Sequence, residues 1–500
     1  MSARSADIAI IGAGAAGLEL ARMASNAGQK VVLFEQGSPN GRHLFQRIPL
    51  LVGKIIGNKR FVDASESVAQ LAAQNRKLPV LTGRGLGGSS RVNGNVAYAG
   101  PVERYDHVFA PLGLDFAGIL KRMNTGEPAP RPHSWNDALS DKFLDAAQVL
   151  GTPKVDDPDV QGAFAGGSIL HVNTKRGLRH NHLENYRDTA VAENIEIIRA
   201  PVTGITFDGT RATGVMSQNG TVQAGEVILC AGAIGSPMLL MHSGVGAADM
   251  LASAGLDTHH DLPHVGRHLK DHANLRLPFS CEGHDTLNQK TRGGRALWEG
   301  VKFIIGSKDT ILRGPGASAG VNVATGGDII EDSYRIQLVH FTQDRSTVGD
   351  KGIKFERQQK ASLGIYALWP KSEGSVRIGA QGLQIDPGFL TAEADVQTTL
   401  AGMKQARAIM AEMGYQPDPQ DAPDEEVMRS GVYSGYHLIG SNRMSMDAAS
   451  GVVGPDFAVH GLAGLSICDA SVLPDHLSSH SYLPVIAMAR MFGQIRGWAV

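Results

Sequence analysis

A glycine fingerprint near the start of the chain constrains the fold more than any other feature. Residues 7–11 form a short apolar run suited to a buried parallel strand, and Gly12-Ala-Gly14-Ala-Ala-Gly17 follows directly. Residues 18–28 have helical composition, and residues 29–34 predict a second strand that ends at Glu35. In dinucleotide-binding units the first glycine makes the turn, the second admits a pyrophosphate and the third packs helix on strand. This order predicts a doubly wound α/β domain with a dinucleotide at the start of its first helix.

The acidic residue after the second strand narrows the choice of dinucleotide. Glu35 follows Gly17 by 18 residues, close to the spacing of an acid that binds ribose hydroxyls. An acid in place of an arginine disfavours a 2′-phosphate, so NAD and FAD both remain open. The residues expected to contact the cofactor at this end are Gly12, Gly14, Ala15, Ala16, Gly17, Glu35 and Gln36.

Length and composition exclude several classes of protein. A chain of 500 residues exceeds what one hydrophobic core usually serves, so we expect two domains, interleaved in sequence. The net charge of −2 argues against a nucleic-acid or anionic-membrane surface, unless one exists as a local patch. Three scattered cysteines predict neither a disulfide framework nor a zinc site. The N-terminus has no signal-peptide pattern and no apolar run reaches the ~20 residues of a membrane span, so we expect a cytoplasmic enzyme.

Two further glycine-rich segments resemble ligand-binding turns. The first is Gly83-Arg-Gly85-Leu-Gly87-Gly88-Ser-Ser90-Arg-Val-Asn93-Gly94-Asn95, dense enough in Gly and Ser for backbone to wrap closely around a flat ligand or a diphosphate. The second, residues 225–237, reads as a buried strand, a glycine turn and a helix start. Residues 195–199 and 202–210 predict strands, with a hairpin signal at Asp208-Gly209.

Two histidines near the C-terminus are candidates for chemistry. Tyr436-His437-Leu-Ile-Gly440 is followed 43 residues later by His480, and between them the sequence predicts a buried strand that ends at Asp469-Ala470. With the fingerprint upstream, they suggest a redox cofactor and a proton acceptor brought to it. Five other histidines between 259 and 272 match no metalloprotease spacing, so we expect no metal site.

These segments resemble the glucose–methanol–choline oxidoreductases. The matching blocks occur in the family's order over essentially the whole chain. They are the fingerprint Gly12–Gly17, Gly85–Ser90 with Asn93-Gly94, residues 230–240, 243–246, 265–272, 370–374 and 469–474.

The resemblance implies FAD rather than NAD, in a Rossmann-like domain discontinuous in sequence, with a substrate domain built on an antiparallel sheet. We expect an FAD domain at 1–105, 190–273 and 437–500, and substrate-binding and lid segments at 106–189 and 274–436. No histidine lies between Gly83 and Gly100 to form a covalent flavin link, so the FAD is expected to be non-covalent. Further cofactor contacts implied by the resemblance are Gly87, Ser90, Asn93, Gly94, Asn95, Val96, Val202, Ala231, Gly232, Asp469, Ala470 and Ser481.

The resemblance also implies roles for the histidine pair. His437 matches the position of a general base that takes the hydroxyl proton while hydride moves from an alcohol carbon to flavin N5, and His480 matches its orienting partner. The implied function is FAD-dependent oxidation of an alcohol on a sugar or aromatic compound, with O₂ or another acceptor taking the electrons. A lyase that keeps FAD without net redox, like a hydroxynitrile lyase, is the alternative.

The segment from about 275 to 435 is expected to supply most of the substrate pocket. Residues 320–325, 334–341 and 363–369 alternate in part as strands of a sheet should. Thr286-Leu-Asn288 and residues 314–320 are expected to be lid or cavity-lining loops. No carboxylate stands out as a ligand for a quaternary ammonium group, so choline is not favoured.

Overall fold

The structure is a computed structural model that describes most of the chain. It covers residues 4–38, 43–125, 131–132, 137–157, 164–181, 183–184, 194–324, 332–343, 352–418 and 422–499. Two large sheets organise these residues, each with its own hydrophobic core.

The first sheet is mostly parallel and contains the fingerprint strand at its centre. Strand Arg4–Ile11 pairs in parallel with Val31–Phe34 on one side and with Gly220–Leu229 on the other. The C-terminal residues of strand Gly220–Leu229 also pair in parallel with Leu465–Ile467. This seventh strand comes from the C-terminal part of the chain. The order of the other six strands is Ile195–Ile198, Val31–Phe34, Arg4–Ile11, Gly220–Leu229, Arg211–Ser217 and Val202–Asp208. Arg211–Ser217 pairs antiparallel with the strand on each side of it.

The local predictions for this sheet are confirmed. The apolar run before the fingerprint forms a strand whose last four residues are buried, and Ala15–Asn26 is the helix that follows it. Helix Tyr482–Ile495 packs beside that helix, with Arg490 Nε 3.1 Å from Glu19 Oε1. Because the parallel strands end on the same edge, Gly12, Glu35, Ala231 and Asp469 are all brought to one edge of the sheet.

The second sheet is antiparallel throughout and packs one face on a separate apolar core. Helices Ala138–Val149 and Glu393–Glu412 cover that face. The order of its strands is Tyr433–Ser434, Ala273–Ser280, Lys360–Ala367, Ser333–Val339, Ala317–Ala324 and Gly167–Ile169. A Rossmann-like sheet together with an antiparallel sheet is the fold class that the sequence predicts, and it is confirmed.

The remaining described elements are shorter strand pairs and helices. The pairs are Val62–Glu66 with Pro79–Gly83, Arg131–Pro132 with His171–Val172, Thr174–Lys175 with Leu178–Arg179, Val245–Gly246 with His260–Asp261, and Ser375–Gly379 with Gly382–Asp386. The other helices are Leu44–Arg47, Val102–Phe109, Ala117–Thr125, Gly232–His242, Ala248–Ser253, Leu287–Lys290, Gly293–Ile304 and Asp424–Gly431. None of the described helices is long and apolar enough to cross a membrane.

Two expectations about loops differ from the structure. Ala317 to Gly320 belong to a strand of the antiparallel sheet, because their small side chains are buried in it. Thr286 caps helix Leu287–Lys290, and Asn288 is buried with its amide donating to Thr342 Oγ1 and to the carbonyl of Gln358. Both segments were expected to be loops, and for these residues that prediction is wrong.

The domain boundaries stay a proposal. The boundary expected between residues 105 and 106 falls inside helix Val102–Phe109. Phe109, Phe116 and Leu120 pack into the core of the parallel sheet, and so does Val376 of the hairpin Ser375–Gly379.

Candidate active site

The fingerprint forms a tight turn that leaves one side open. Gly12 has φ +104°, and a Cβ there would lie 2.5 Å from the carbonyl oxygen of Cys230. A Cβ on Gly17 would overlap the carbonyl oxygen of Gly12, so helix and strand can only pack with glycine at that position. At Gly14, by contrast, a Cβ would meet only Cys230 O, at 4.0 Å. Gly14 therefore faces free space at the N-terminus of helix Ala15–Asn26, which has no side-chain cap.

Glu35 ties the two glycine clusters together. Its Oε2 accepts a hydrogen bond from Ala13 N at 3.3 Å, and its Oε1 accepts from Gly37 N at 2.7 Å and from Gly85 N at 3.1 Å. Gly87 N donates to the carbonyl of Ala13 at 2.8 Å, which seats the second cluster directly on the first. The expectation that Glu35 binds a ribose stays a prediction, and these contacts give the buried carboxylate an additional structural role.

The second glycine cluster is held by buried polar side chains that follow it in sequence. The Arg179 guanidinium donates to Ser90 O at 3.2 Å, to Asn93 O at 2.8 Å and to Asn93 Oδ1. Asn181 Nδ2 donates to both the carbonyl and the hydroxyl of Ser90, each at 3.1 Å. Burial lowers the pKa of Arg179 to about 9, and the nearby Arg91 adds to that shift. Arg179 remains a cation at neutral pH and fixes the loop that carries Asn93 and Asn95.

A third loop joins the same edge through Asp469. Its Oδ2 accepts from Gly232 N at 2.8 Å and from Ser236 Oγ at 2.5 Å, and its Oδ1 accepts from Ser471 N at 2.8 Å. Burial raises the pKa of Asp469, and these hydrogen bonds oppose the shift. Asp469 therefore holds the start of helix Gly232–His242 beside the turn that begins at Ala470.

The other expected cofactor contacts occupy several places around this edge. Ala15 and Ala16 form the first turn of the fingerprint helix, and Val202 begins the strand that follows Ile195–Ile198. Gln36 donates to Asp63 Oδ2 at 3.3 Å. Gly94 has open space around its Cα, Val96 pairs with Val172, and Ser481 precedes helix Tyr482–Ile495 without capping it.

The geometry of this edge fits a dinucleotide. Gly14 and Gly94 leave space where any side chain would fill it, and the uncapped N–H groups of helix Ala15–Asn26 are suited to a pyrophosphate. Asn95 is buried with φ +63°, and within the described chain its Nδ2 has no hydrogen-bond partner. A donor of this kind can serve a bound ligand.

His437 lies in a loop that Asp271 shapes. Strand Ala273–Ser280 pairs with Tyr433–Ser434, which places Asp271 and His272 directly beside the loop. Asp271 Oδ1 accepts from the backbone N–H groups of His272 and His437, both at 2.8 Å, and its Oδ2 accepts from Ser434 Oγ at 2.5 Å. Burial raises the pKa of Asp271 to about 6, although the hydrogen bonds from Ser434, His437 and His272 oppose the shift. Asp271 thus fixes both histidine backbones.

His480 reaches the same place from the last loop. The His437 and His480 rings stand at 88° to each other with centroids 4.9 Å apart, so the structure brings the two candidate residues together. The backbone N–H of His480 donates to Ser478 Oγ at 3.1 Å, and Ser478 Oγ donates to Tyr98 O at 3.1 Å. The second glycine segment, which leads to Tyr98, is therefore bonded to the loop that carries His480.

A third histidine determines which nitrogen of His437 carries the proton. His272 Nε2 lies 2.8 Å from the carbonyl oxygen of Leu368, which can only accept, so we assign the His272 proton to Nε2. His272 Nδ1 is then an acceptor, and it lies 2.9 Å from His437 Nδ1. His437 Nδ1 must donate in that bond, which leaves the lone pair of His437 on Nε2.

The imidazoles of this cluster are neutral near pH 7. Burial lowers the pKa of His272 to about 4 and holds the pKa values of His437, His480 and His476 well below the usual range. Neighbouring imidazoles add to the shift, since His476 lies 4.0 Å from His272 between ring centroids. A neutral His437 with a lone pair on Nε2 can accept a proton.

Sequence reasoning missed the role of His272. The residue stands in a block that resembles a structural motif, and it was grouped with histidines that gave no functional signal. The sequence pattern that could have pointed to His272 is Asp271-His272 directly before an alternating strand. Only the pairing of strands in the sheet shows that this strand lies next to Tyr433–Ser434. Tyr366 was also not singled out, and its ring lies 4.9 Å from that of His272.

The other histidines of that region are structural. His264 and His268 stack with ring nitrogens 2.9 Å apart, and His268 Nδ1 lies 2.9 Å from Glu373 Oε2. In the part of the chain that the structure describes, no group of three or more His, Cys, Asp or Glu side chains is placed to hold a metal ion.

Comparisons with known proteins agree with this arrangement. Two family models, both described as GMC oxidoreductase, match residues 7–274 and 370–489. The chain is 30% identical to the alcohol dehydrogenase [acceptor] of Pseudomonas putida over 98% of its length and 95% of that protein, and 28% identical to the oxygen-dependent choline dehydrogenase of Chromohalobacter salexigens over the same shares. Among solved structures, pyridoxine 4-oxidase from Mesorbium loti has a TM-score of 0.83 at 22% identity, covering 98% of both chains. Formate oxidase from Aspergillus oryzae RIB40 has a TM-score of 0.84 at 19% identity, covering 99% of this chain and 98% of that one.

Proposed function

The chain belongs to the GMC oxidoreductase family, and on that premise we propose that it oxidises an alcohol to a carbonyl compound with FAD as cofactor and His437 as general base. The relatives named as alcohol dehydrogenase and choline dehydrogenase support an oxidoreductase that acts on CH–OH donors. The observation that carries the proposal is the neutral His437, whose Nε2 lone pair is set by His272 and which lies beside His480.

FAD fits the residues at the edge of the parallel sheet. We infer that Gly12, Gly14 and the start of helix Ala15–Asn26 hold its pyrophosphate, and that the loop from Gly87 to Asn95 lies against the flavin. When bound, the flavin ring supplies the acceptor for the hydride that leaves the alcohol carbon. The absence of a histidine between Gly83 and Gly100 supports a non-covalent cofactor.

His437 removes the hydroxyl proton of the alcohol in the proposed reaction. Its Nε2 accepts that proton while Nδ1 keeps donating to His272, so the ring gains a positive charge without reorienting. General-base assistance of this kind typically contributes about 10²–10⁴-fold in rate. Asp271 assists indirectly, because it fixes the backbone of His437 and keeps the ring at one position.

His480 orients the substrate in the proposed mechanism. Its ring stands nearly perpendicular to that of His437, so both imidazoles can reach one oxygen from different directions. Ser479 Oγ lies 2.9 Å from His480 Nδ1, and this contact limits rotation of the ring.

An uncharged alcohol suits the site better than a quaternary ammonium. Asp271 and Asp475, which directly precede His272 and His476 in the sequence, are already engaged. Asp271 accepts the hydrogen bonds described above, and Asp475 contacts Arg104 at 2.7 Å and Lys270 at 3.3 Å. Tyr433, Tyr436 and Trp369 remain candidates for contact with a substrate ring.

Anaerobic mixing of the flavin-loaded protein with a panel of alcohols tests the proposal. Bleaching of the oxidised-flavin absorbance, with release of the matching aldehyde or ketone, is the expected result. Carbonyl release from a cyanohydrin without bleaching would instead establish a lyase. No bleaching across sugar, aromatic and aliphatic alcohols would overturn the proposal, and O₂ added after reduction shows whether oxygen accepts the electrons.

A further inference from the structure

Helix Gly293–Ile304 presents an apolar stripe to the solvent. Leu297, Trp298, Val301, Ile304 and Ile305 are 74%, 59%, 44%, 84% and 70% exposed. At 100° per residue, these side chains fall within an arc of about 120° on one side of the helix. Clusters of exposed apolar side chains on this scale usually mark an interaction surface.

The acidic side chain of the helix faces the opposite way. Glu299 is buried, its Oε1 lies 2.7 Å from Lys302 Nζ, and its Oε2 accepts a hydrogen bond from Ile311 N at 3.1 Å. The polar anchor therefore fixes the orientation of the helix, and the apolar stripe is the face that remains outside.

Basic residues flank the stripe along the chain. Between positions 290 and 309 the chain has five Lys or Arg and two Asp or Glu, although the whole protein has a net charge of −2. Arg292, Arg295 and Lys308 are all exposed. The Arg292 guanidinium donates to the carbonyls of Phe355 and Glu356, which do not neutralise its charge. Only Arg295 among these three contacts a carboxylate, that of Asp285 at 2.8 Å, within the described residues.

We propose that this stripe and its basic rim bind the surface of an anionic lipid bilayer. An amphipathic helix with Trp and branched aliphatic side chains on one face and cations beside them lies in the plane of the membrane interface, with its apolar side among the acyl chains. Anionic headgroups complement the cationic rim. The proposal concerns a peripheral surface and does not depend on the catalytic chemistry of the protein.

Charge complementarity favours a bilayer over a second copy of the chain. A twofold dimer through this helix would place each basic rim against its own copy, since the same patch faces itself in a symmetric interface. The stripe also offers no hydrogen-bonding side chains other than the Trp298 indole, whereas protein interfaces form about one hydrogen bond per 100–200 Å². Trp itself is favoured where an apolar and an aqueous phase meet.

Co-sedimentation of the flavin-loaded protein with vesicles tests the proposal. We expect strong binding to vesicles of equimolar phosphatidylglycerol and phosphatidylcholine, and weak binding to phosphatidylcholine alone. Binding should decrease as salt rises from about 0.1 M to about 1 M, because the Debye length falls from about 10 Å to about 3 Å. Combined Arg292→Gln and Lys308→Gln should weaken binding by roughly fivefold for each charge removed.

Ile304→Glu is the decisive variant, with Leu71→Glu as its matched control. Both side chains are more than four-fifths exposed, and Leu71 lies in the 3₁₀ turn Leu71–Ala73, outside the stripe. We expect Ile304→Glu to bind anionic vesicles at least ~10-fold more weakly, and Leu71→Glu to bind like the unmodified protein, with flavin content unchanged in both. Equal vesicle binding by the Ile304→Glu variant and the unmodified protein would overturn the proposal. A second result would also overturn it: the unmodified protein does not bind vesicles and forms a dimer, and Ile304→Glu dissociates that dimer. The stripe would then join two copies of the chain.

Discussion

Replacing His272 with Phe should slow reduction of the flavin without removing the proposed base. The phenyl ring can still pack beside His476 and Tyr366, but it cannot accept from His437 Nδ1 or donate to Leu368 O. His437 then has a buried donor without a partner, or shifts its proton to Nε2 and loses the lone pair that faces the alcohol in our mechanism. An unsatisfied buried polar group costs about 1–3 kcal/mol. At 1.36 kcal/mol per factor of ten, the expected loss in rate is roughly 5- to 150-fold.

Anaerobic stopped-flow mixing with a saturating alcohol measures this rate directly. His272→Gln provides a test of the mechanism, because its amide oxygen can accept from His437 while its amide nitrogen donates to Leu368 O. This variant should recover part of the rate that Phe loses. His476→Phe is the matched control, since this ring is also buried and its Nε2 has no hydrogen-bond partner in the described chain.

Either of two results would refute this role of His272. One is a His272→Phe enzyme that is folded, flavin-loaded and within about threefold of the normal rate, since even the lower bound of about 1 kcal/mol predicts more. The other is an equal loss in His476→Phe, which would show that packing of the rings, and not the proton on His437, limits the rate.

Three further predictions concern the base, the cofactor and stability. His437→Ala should keep its flavin and reduce it at least ~10²-fold more slowly, and near-normal reduction would contradict its role as base. Gly14→Asp should give a folded protein without flavin colour, because the new side chain would enter the space that we assign to the phosphate. Gly12→Ala should fail to fold, because its Cβ would lie 2.5 Å from Cys230 O. Flavin absorbance and circular dichroism distinguish the two outcomes. The melting temperature should decrease as the pH is lowered from 6.5 to 5. Folding lowers the pKa values of His272, His437, His476 and His480, so protons bind preferentially to the unfolded chain. Each imidazole changes the free energy of unfolding by up to about 1.4 kcal/mol per pH unit. Asp271, with its pKa raised to about 6, changes it in the opposite direction. An unchanged melting temperature would contradict the assigned neutral states of the histidines.

Local sequence patterns were sufficient to predict the central strands, the glycine turn and the first helix of the parallel sheet. The strand, glycine turn and helix around Gly12 are determined by residues next to one another, and the structure shows a steric reason for glycine at Gly12 and at Gly17. The same holds for strands Ile195–Ile198 and Val202–Asp208, which match their predicted positions.

Contacts between distant segments could not be predicted in the same way. Sequence gives no register between Ala273 and Ser434, yet this pairing is what brings His272 to His437. The exposed stripe of helix Gly293–Ile304 was likewise invisible, because an amphipathic pattern shows which residues share a face but not whether that face packs inward. The loop expected around residues 317–320 became a strand for a related reason, since its pairing with Ser333–Val339 is a tertiary effect.

The position of strand Leu465–Ile467 has a consequence for synthesis of the protein. This strand completes the parallel sheet against Gly220–Leu229, and Asp469 immediately after it holds the helix that begins at Gly232. A nascent chain that ends before residue 465 therefore has the fingerprint and the second glycine cluster but lacks the strand, the acid and the last helix. Residues 465–469 must therefore be synthesised before this edge of the sheet can form as described. A chain cut before residue 465 should therefore lose the edge at which we propose that FAD binds, even though its glycine fingerprint is intact.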